Sequence, residues 1–247
     1  MRVEVLGIKI DHFSMQETVA HIQEAVEKKK QTWVVTANPE LIFAAGADAR
    51  LKQLINRAQL VTPDGIGVVW AANRLGHPVS ERVTGIDLLE ALFPLIGKKK
   101  WRVFFLGSKP GVAELAAQKV AEQYPGVEWQ AQHGYFQPGE QAEILDRIRK
   151  FQPDLLLVGL GAPRQEFWIA SHPDLATVNM GVGGCFDALA GLNKRAPQWI
   201  RNIHLEWLYR LLKQPQRIRR QMVLPKFVWQ VMKQGKNEQK KHTRRVR

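Results

Sequence analysis

Cysteine occurs once in the 247 residues, at Cys185, so neither an intrachain disulfide nor a cysteine-built zinc site is available. That usage fits a reducing cytosol. No apolar run approaches the ~20 residues that span a bilayer, and the opening Met-Arg-Val-Glu carries no apolar stretch of a secretory signal. There is no Asp-x-Asp pair, which removes the usual carboxylate clamp for a metal-bound nucleotide sugar. The seven histidines, at positions 12, 21, 77, 133, 172, 204 and 242, have no metal-ligand spacing, and no G-x-S-x-G elbow occurs. No metal and no cofactor are therefore expected.

Positive charge is what the chain has in excess. Lys and Arg number 36 against 23 Asp and Glu, a formal net charge of +13. From Lys194 to the end there are 16 basic residues and two acids, Glu206 and Glu238, a net +14, while the preceding 193 residues carry −1. A nearly neutral body thus bears a basic C-terminal segment. Such a segment attracts polyanions: nucleic acid, an anionic membrane surface or a phosphorylated substrate. The hydrophobic fraction of 45% is ordinary for globular proteins and excludes a disordered chain.

Short apolar runs alternate with amphipathic stretches through the body. Strands are expected near 32–36, 60–62, 102–106, 127–132, 155–159 and 177–182, and helices near 14–29, 110–123 and 139–151. The first helix opens with the capping box Ser14-x-x-Glu17. This alternation predicts an α/β fold, a mostly parallel sheet with helices on both faces, and a ligand crevice outside the carboxyl ends of the strands.

Residues that follow the strands are accordingly the site candidates. Gly107-x-x-x-Gly111 could turn backbone N–H groups toward a diphosphate, or simply make a tight turn; it is neither a dinucleotide fingerprint nor a Walker A loop. Gly181-Val182-Gly183-Gly184 would let a ligand approach the backbone. Asp64, between Pro63 and Gly65, could serve as a general base toward a sugar hydroxyl, although Pro-Asp-Gly is also good turn chemistry. Asn38 could meet a ligand or cap a helix, and so could Arg164-Gln165-Glu166. Strand-end geometry adds Tyr135 and Asp187 to Gly107 and Gly183 as nucleotide contacts.

After Gly191 the character changes. Residues 199–213 form a helical stripe of Ile200, Ile203, Trp207, Leu208 and Leu211, and residues 216–233 a second basic-aromatic segment with a kink expected at Pro225. Arg217 and Arg220 are i, i+3 neighbours, and Arg210 on the preceding segment could converge with them on a diphosphate. Trp199, Trp207, Phe227 and Trp229 among these arginines suit a membrane interface better than plain solvent. From Gly235 a solvated, disordered tail is expected. The division is then 1–193 catalytic, 194–234 membrane-associating appendage and 235–247 basic tail.

Taken together, Val34-Val35-Thr36-Ala37-Asn38-Pro39-Glu40, Pro63-Asp64-Gly65-Ile66-Gly67, Glu81-Arg82-Val83-Thr84-Gly85, Gly159-Leu160-Gly161-Ala162-Pro163-Arg164-Gln165-Glu166 and Gly181-Val182-Gly183-Gly184 stand in the order of a known family. With Arg195-Ala196-Pro197 and Glu206-Trp207-Leu208-Tyr209-Arg210-Leu211, the chain resembles the WecG/TagA/CpsF family of bacterial glycosyltransferases, most closely its TagA branch. The resemblance implies a Rossmann-like domain with a helical appendage at the cytoplasmic face of the membrane. It also implies transfer of N-acetylmannosamine from UDP-N-acetylmannosamine to the 4-hydroxyl of a polyprenyl-diphosphate-linked N-acetylglucosamine, in the wall teichoic acid linkage unit. Alternatives are a UDP-N-acetylmannosaminuronate or UDP-glucose donor and, in another class, a nucleic-acid-binding protein using the basic segment. By resemblance the base is Asp64, polar substrate contacts are Thr36, Asn38, Arg82 and Gln165, and the appendage arginines are Arg210, Arg217 and Arg220. The implied partners are the UDP-sugar, the lipid-linked acceptor and an anionic membrane surface, with no nucleic acid; an oligomer is compatible with the sequence.

Overall fold

The computed structural model describes residues 2–245 except 77, 80, 194, 203, 204 and 214–217, and describes no side chains at 201, 202, 210, 219, 220 and 236–245. An N-terminal hairpin, β1 (Arg2–Val5) and β2 (Ile8–Asp11), leads into α1 (Met15–Glu27), β3 (Thr32–Ala37), α2 (Pro39–Ala47), α3 (Ala49–Arg57) and β4 (Leu60–Pro63). Next come α4 (Ile66–Arg74), α5 (Gly85–Lys99), β5 (Arg102–Gly107), α6 (Val112–Gln123), β6 (Glu128–Gln132) and α7 (Gln141–Phe151). The body closes with β7 (Leu155–Gly159), α8 (Arg164–Ser171), β8 (Val178–Gly181) and α9 (Cys185–Leu189). The C-terminal segment adds α10 (Gln198–Asn202), α11 (Glu206–Lys213), α12 (Ile218–Gln221) and α13 (Val223–Arg245).

The six strand candidates read from the sequence pair in one parallel sheet of order β4-β3-β8-β7-β5-β6. Alternate residues of these strands face opposite cores, as the period of two requires. Val34, Leu60, Val103, Phe105, Leu155 and Leu157 share one core with Ile22 of α1, Leu89 and Leu92 of α5 and Ala113 of α6. On the other face Val35 and Val61 pack with α2 and α4, while Phe104, Leu106, Leu156 and Val158 pack with α7 and α8. Burial on both faces is why these strands read as apolar runs rather than as alternating sequence. From β3 the chain moves outward to β4, and from β5 outward in the opposite direction to β6, so the topological switch, where open α/β sheets bind ligands beyond the carboxyl ends of the strands, lies between them.

Local signals behave as their chemistry dictates. The Ser14 hydroxyl accepts from the Glu17 N–H and the Glu17 carboxylate accepts from the Ser14 N–H, completing the capping box that starts α1. The β1–β2 hairpin has no counterpart among the strands expected from the sequence. Its Leu6-Gly7 turn has positive φ at both residues, and Leu is an unusual choice there. The hairpin shields the outer side of β4: one Asp11 oxygen accepts from the Val61 N–H at 2.8 Å and the other from Arg2 Nε at 3.0 Å.

The C-terminal segment departs from the sequence reading in two respects. Phe227, expected at a membrane interface, is buried with Val231 one turn on, in the core formed by the hairpin, α2 and α4. An amphipathic stripe specifies that a face must be covered, not by what. Nearby, the Leu6 N–H donates to Gln234 Oε1 at 3.0 Å. Pro225 lies in the first turn of α13, where its missing N–H has no intrahelical partner to lose, so it marks a helix start and not a kink. Helix α13 runs on through Gly235 to Arg245. Lys, Arg, Gln and Glu are good helix formers, and a docked first half supplies the costly nucleus. Among the described residues no helix is long and apolar enough to cross a membrane.

Candidate active site

The candidate site is built where glycine and proline turns leave β3, β4, β5, β7 and β8. At the end of β3, the Thr36 hydroxyl donates to the Gly181 carbonyl at 3.2 Å, tying β3 to β8. Asn38 caps α2 by accepting the Leu41 N–H at 2.9 Å, with Pro39 at the first helical position. Its Oδ1 is thus committed to structure, and its amide NH2 is the part suited to meeting a ligand. Capping and ligand contact, alternatives in the sequence, are compatible in one side chain.

Asp64 is half-buried beyond β4. Its backbone N–H donates to the Ala37 carbonyl at 2.9 Å, and the Val83 N–H donates to the Pro63 carbonyl at 3.1 Å. The turn is stitched on one side to β3 and on the other to the loop bearing Arg82. Arg82 Nη2 lies 3.5 Å from Asp87 Oδ2. Asp87 stands in the first turn of α5, where the Thr84 hydroxyl donates to Oδ2 at 2.6 Å and accepts the Asp87 N–H at 3.2 Å. Burial raises the Asp87 pKa, but the hydrogen bond from Thr84 and the guanidinium of Arg195 outweigh it and hold the carboxyl below its ordinary range.

Gln165 is buried and fully oriented. Its Oε1 accepts the Gly183 N–H at 3.0 Å and its Nε2 donates to Glu166 Oε1 at 2.9 Å. A Cβ on Gly181 would stand 2.7 Å from that Nε2, so the glycine makes room for the amide. Burial pushes the Glu166 carboxyl up, against the lowering effect of the Gln165 hydrogen bond. Its Oε2 is buried with no hydrogen-bond partner among the described residues.

The remaining loops form the other flank. A Cβ on Gly107 would stand 2.4 Å from the Gly159 carbonyl oxygen, and φ there is +141°, so only glycine fits. Ser108 N–H donates to that same oxygen at 3.0 Å, and Gly134 N–H donates to the Ser108 carbonyl at 2.8 Å. The Ser108 hydroxyl donates to Asp187 Oδ2 at 3.2 Å. Gly183 connects the flanks, because its carbonyl oxygen would lie 2.9 Å from a Cβ on Gly159. Tyr135, 66% exposed, is the most open of the expected nucleotide contacts.

Gln165 therefore meets Gly183 directly and Thr36 joins them through the Gly181 carbonyl, Asp64 and Arg82 flank one stitched turn, and Gly107 and Asp187 meet through Ser108. The appendage arginines are not brought to them by anything described: Arg217 lies outside the described residues, and so do the side chains of Arg210 and Arg220. Among the described residues no three His, Cys, Asp or Glu side chains converge as a metal site. A cleft of about 230 Å3, lined by Trp33, Arg57, Gln59 and Asn179 among others, opens at the amino ends of β3 and β8, away from these loops.

This loop order is matched along nearly the whole chain by one family. The sequence model described as the glycosyl transferase WecG/TagA/CpsF family aligns with residues 3–241. The chain belongs to this glycosyltransferase family. Among curated relatives, an N-acetylglucosaminyldiphosphoundecaprenol N-acetyl-beta-D-mannosaminyltransferase of Staphylococcus aureus is 36% identical over 236 residues, covering 94% of this chain and 92% of its own. The protein of the same name from Bacillus spizizenii is 38% identical over 228 residues, covering 91% and 88%.

Within this WecG/TagA/CpsF glycosyltransferase, the candidate site holds residues to which sequence reasoning assigned no role: Ser108 and Asp87, and Thr84 and Arg195, which entered only as parts of the family's motifs. Thr84-x-x-Asp87 is a capping pattern visible in the sequence. Ser108 had no such signal, since its partner Asp187 lies 79 positions away.

Proposed function

We propose that this glycosyltransferase moves N-acetylmannosamine from UDP-N-acetylmannosamine to the 4-hydroxyl of N-acetylglucosaminyl-diphospho-undecaprenol, with inversion to the β linkage. The observation that carries the proposal is the near-complete coverage, of both chains, by relatives bearing that activity in their names. The site geometry is consistent with it. In a single displacement the acceptor oxygen bonds to the donor anomeric carbon, the bond from that carbon to the phosphate oxygen breaks, and UDP leaves with the electron pair. The acceptor proton goes to Asp64, a role suited to a carboxylate whose turn is held from two sides. Thr36, Asn38, Arg82 and Gln165 hold the sugars. The strand-end loops with Gly107, Tyr135, Gly183 and Asp187 receive the nucleotide. Backbone amides and the cations Arg210, Arg217 and Arg220 stabilise the departing diphosphate electrostatically.

The C-terminal helices are proposed to meet the membrane surface that carries the acceptor. Trp199, Trp207, Leu212, Met222 and Trp229 are exposed large apolar side chains within the segment of net charge +14. Exposed aromatic and apolar residues among cations suit the interface of an anionic leaflet, where each cation contributes about 1 kcal/mol. The 1–193 unit would then supply catalysis, and 194–234 with the basic 235–247 stretch attachment at the cytoplasmic face.

The test is incubation with a panel of UDP-sugars and a short-chain lipid-linked N-acetylglucosamine, with the product identified by mass and linkage. N-acetylmannosamine on the 4-hydroxyl is expected. Faster transfer from another UDP-sugar would overturn the donor assignment. Salt-sensitive oligonucleotide binding without any transfer would overturn the enzymatic reading.

A further inference from the structure

Arg195 stands where the chain leaves the body for the C-terminal helices, three residues before α10 and next to the buried Ala196. Its guanidinium is inserted between two carboxylates of α5. Nη2 donates to Asp87 Oδ1 and Nη1 donates to Glu90 Oε2 at 2.6 Å. Asp87 therefore faces two guanidinium groups: Arg195 closely on one oxygen, and Arg82 at 3.5 Å on the other, which also takes the Thr84 hydroxyl. The contact with Arg82 is beyond good hydrogen-bond length, and that with Arg195 is not.

This asymmetry has a chemical consequence. A carboxylate already engaged by one guanidinium attracts a second one less strongly. Arg82, three residues before the start of α5, is thereby held only loosely by Asp87. That helix begins against the site, since a Cβ on Gly85 would touch both the Thr36 side chain and Cys185 Sγ at 3.5 Å.

We propose that Arg195 is a positioning residue: by occupying Asp87 it keeps Arg82 available to the anionic substrate, so seating of the segment that leads into the C-terminal helices becomes a condition for a competent Arg82. The proposal rests on the assignment of Arg82 to substrate binding made above. Without Arg195, Asp87 would draw Arg82 into a close pair and away from the ligand.

Steady-state kinetics of the full-length protein on UDP-N-acetylmannosamine and the lipid-linked acceptor test this directly. Arg195→Gln should raise KM by about tenfold or more, the worth of one charge-assisted hydrogen bond to substrate, with a smaller change in kcat. Arg195→Lys should recover part of the loss. The decisive variant is Arg195→Gln with Asp87→Asn, which removes the carboxylate that captures Arg82 and should restore most of the KM. A merely structural role predicts the opposite, a double variant at least as impaired as the single one, and that result would overturn the proposal. An activity-independent readout separates this outcome from an error in the donor assignment. Modification of Arg82 by phenylglyoxal, followed by peptide mass spectrometry, should slow in Arg195→Gln and recover in the double variant. Unchanged reactivity across all three proteins would also refute it.

Discussion

Replacing Gly107 by alanine offers a measurable test of how the strand ends shape the flank proposed to receive the nucleotide. The added Cβ would meet the Gly159 carbonyl oxygen, carbon and Cα at 2.4, 2.5 and 2.7 Å. Ordinary carbon contacts lie near 3.5–4.0 Å, so the ends of β5 and β7 would have to part by roughly 1 Å. Backbone atoms cannot swing aside as a side chain can. Three costs add: about 1–3 kcal/mol for overpacking, about 1–2 kcal/mol for an L-residue at φ +141°, and about 1 kcal/mol for the Ser108 N–H to Gly159 bond. The expected loss is about 3–6 kcal/mol, a fall in Tm on the order of 10 °C. Gly111→Ala is the control. Its φ is also positive, +80°, but its Cβ would meet nothing within 4 Å, so only the conformational cost of about 1–2 kcal/mol applies. Thermal unfolding of the two variants, with and without UDP, reads both effects. UDP should lose its stabilising effect in Gly107→Ala, where Ser108 and hence Asp187 are displaced, and keep it in Gly111→Ala. Equal destabilisation of the two variants would refute the reasoning.

Other residues give equally direct outcomes. Asp64→Asn should lower kcat by about 10²- to 10⁴-fold while UDP still raises Tm; near-normal turnover would remove Asp64 from the base role. For Glu166→Gln the sign follows from the raised pKa of the folded-state carboxyl. The native state holds the proton more tightly, so wild-type stability is highest below the unfolded pKa and declines as pH rises toward the folded one. The variant should therefore gain stability over wild type at pH 8 and show little difference at pH 4, and a gain independent of pH would count against burial as the cause. Phe227→Ala should destabilise by about 3–5 kcal/mol if α13 unfolds with the body, or otherwise expose α13 to protease while leaving the body's Tm nearly intact. Neither change would mean that α13 is not docked through Phe227.

Much of this protein is legible within a few residues at a time. The six parallel strands, the Ser14 capping box and the loops at the strand ends all follow from apolar runs, caps and glycine placement, which act over distances shorter than a helix. So did the order of motifs that marks the family. The stripe carrying Phe227 was legible too, but only as an apolar face.

What covers that face depends on where the chain returns. Phe227 and Val231 lie against a hairpin that begins more than 200 positions earlier, and Gln234 accepts a hydrogen bond from Leu6 across 228 positions. Arg195 reaches Asp87 across 108 positions and Ser108 reaches Asp187 across 79. No local pattern encodes such pairings, because each needs a specific approach of distant segments and both partners look like ordinary polar surface until they meet. Sequence alone determined the alternation of strands and helices, the loops at the strand ends and the family. Tertiary structure alone decided which charges neutralise one another, which aromatic is core, and that the root of the C-terminal helices is pinned to the helix beside Arg82.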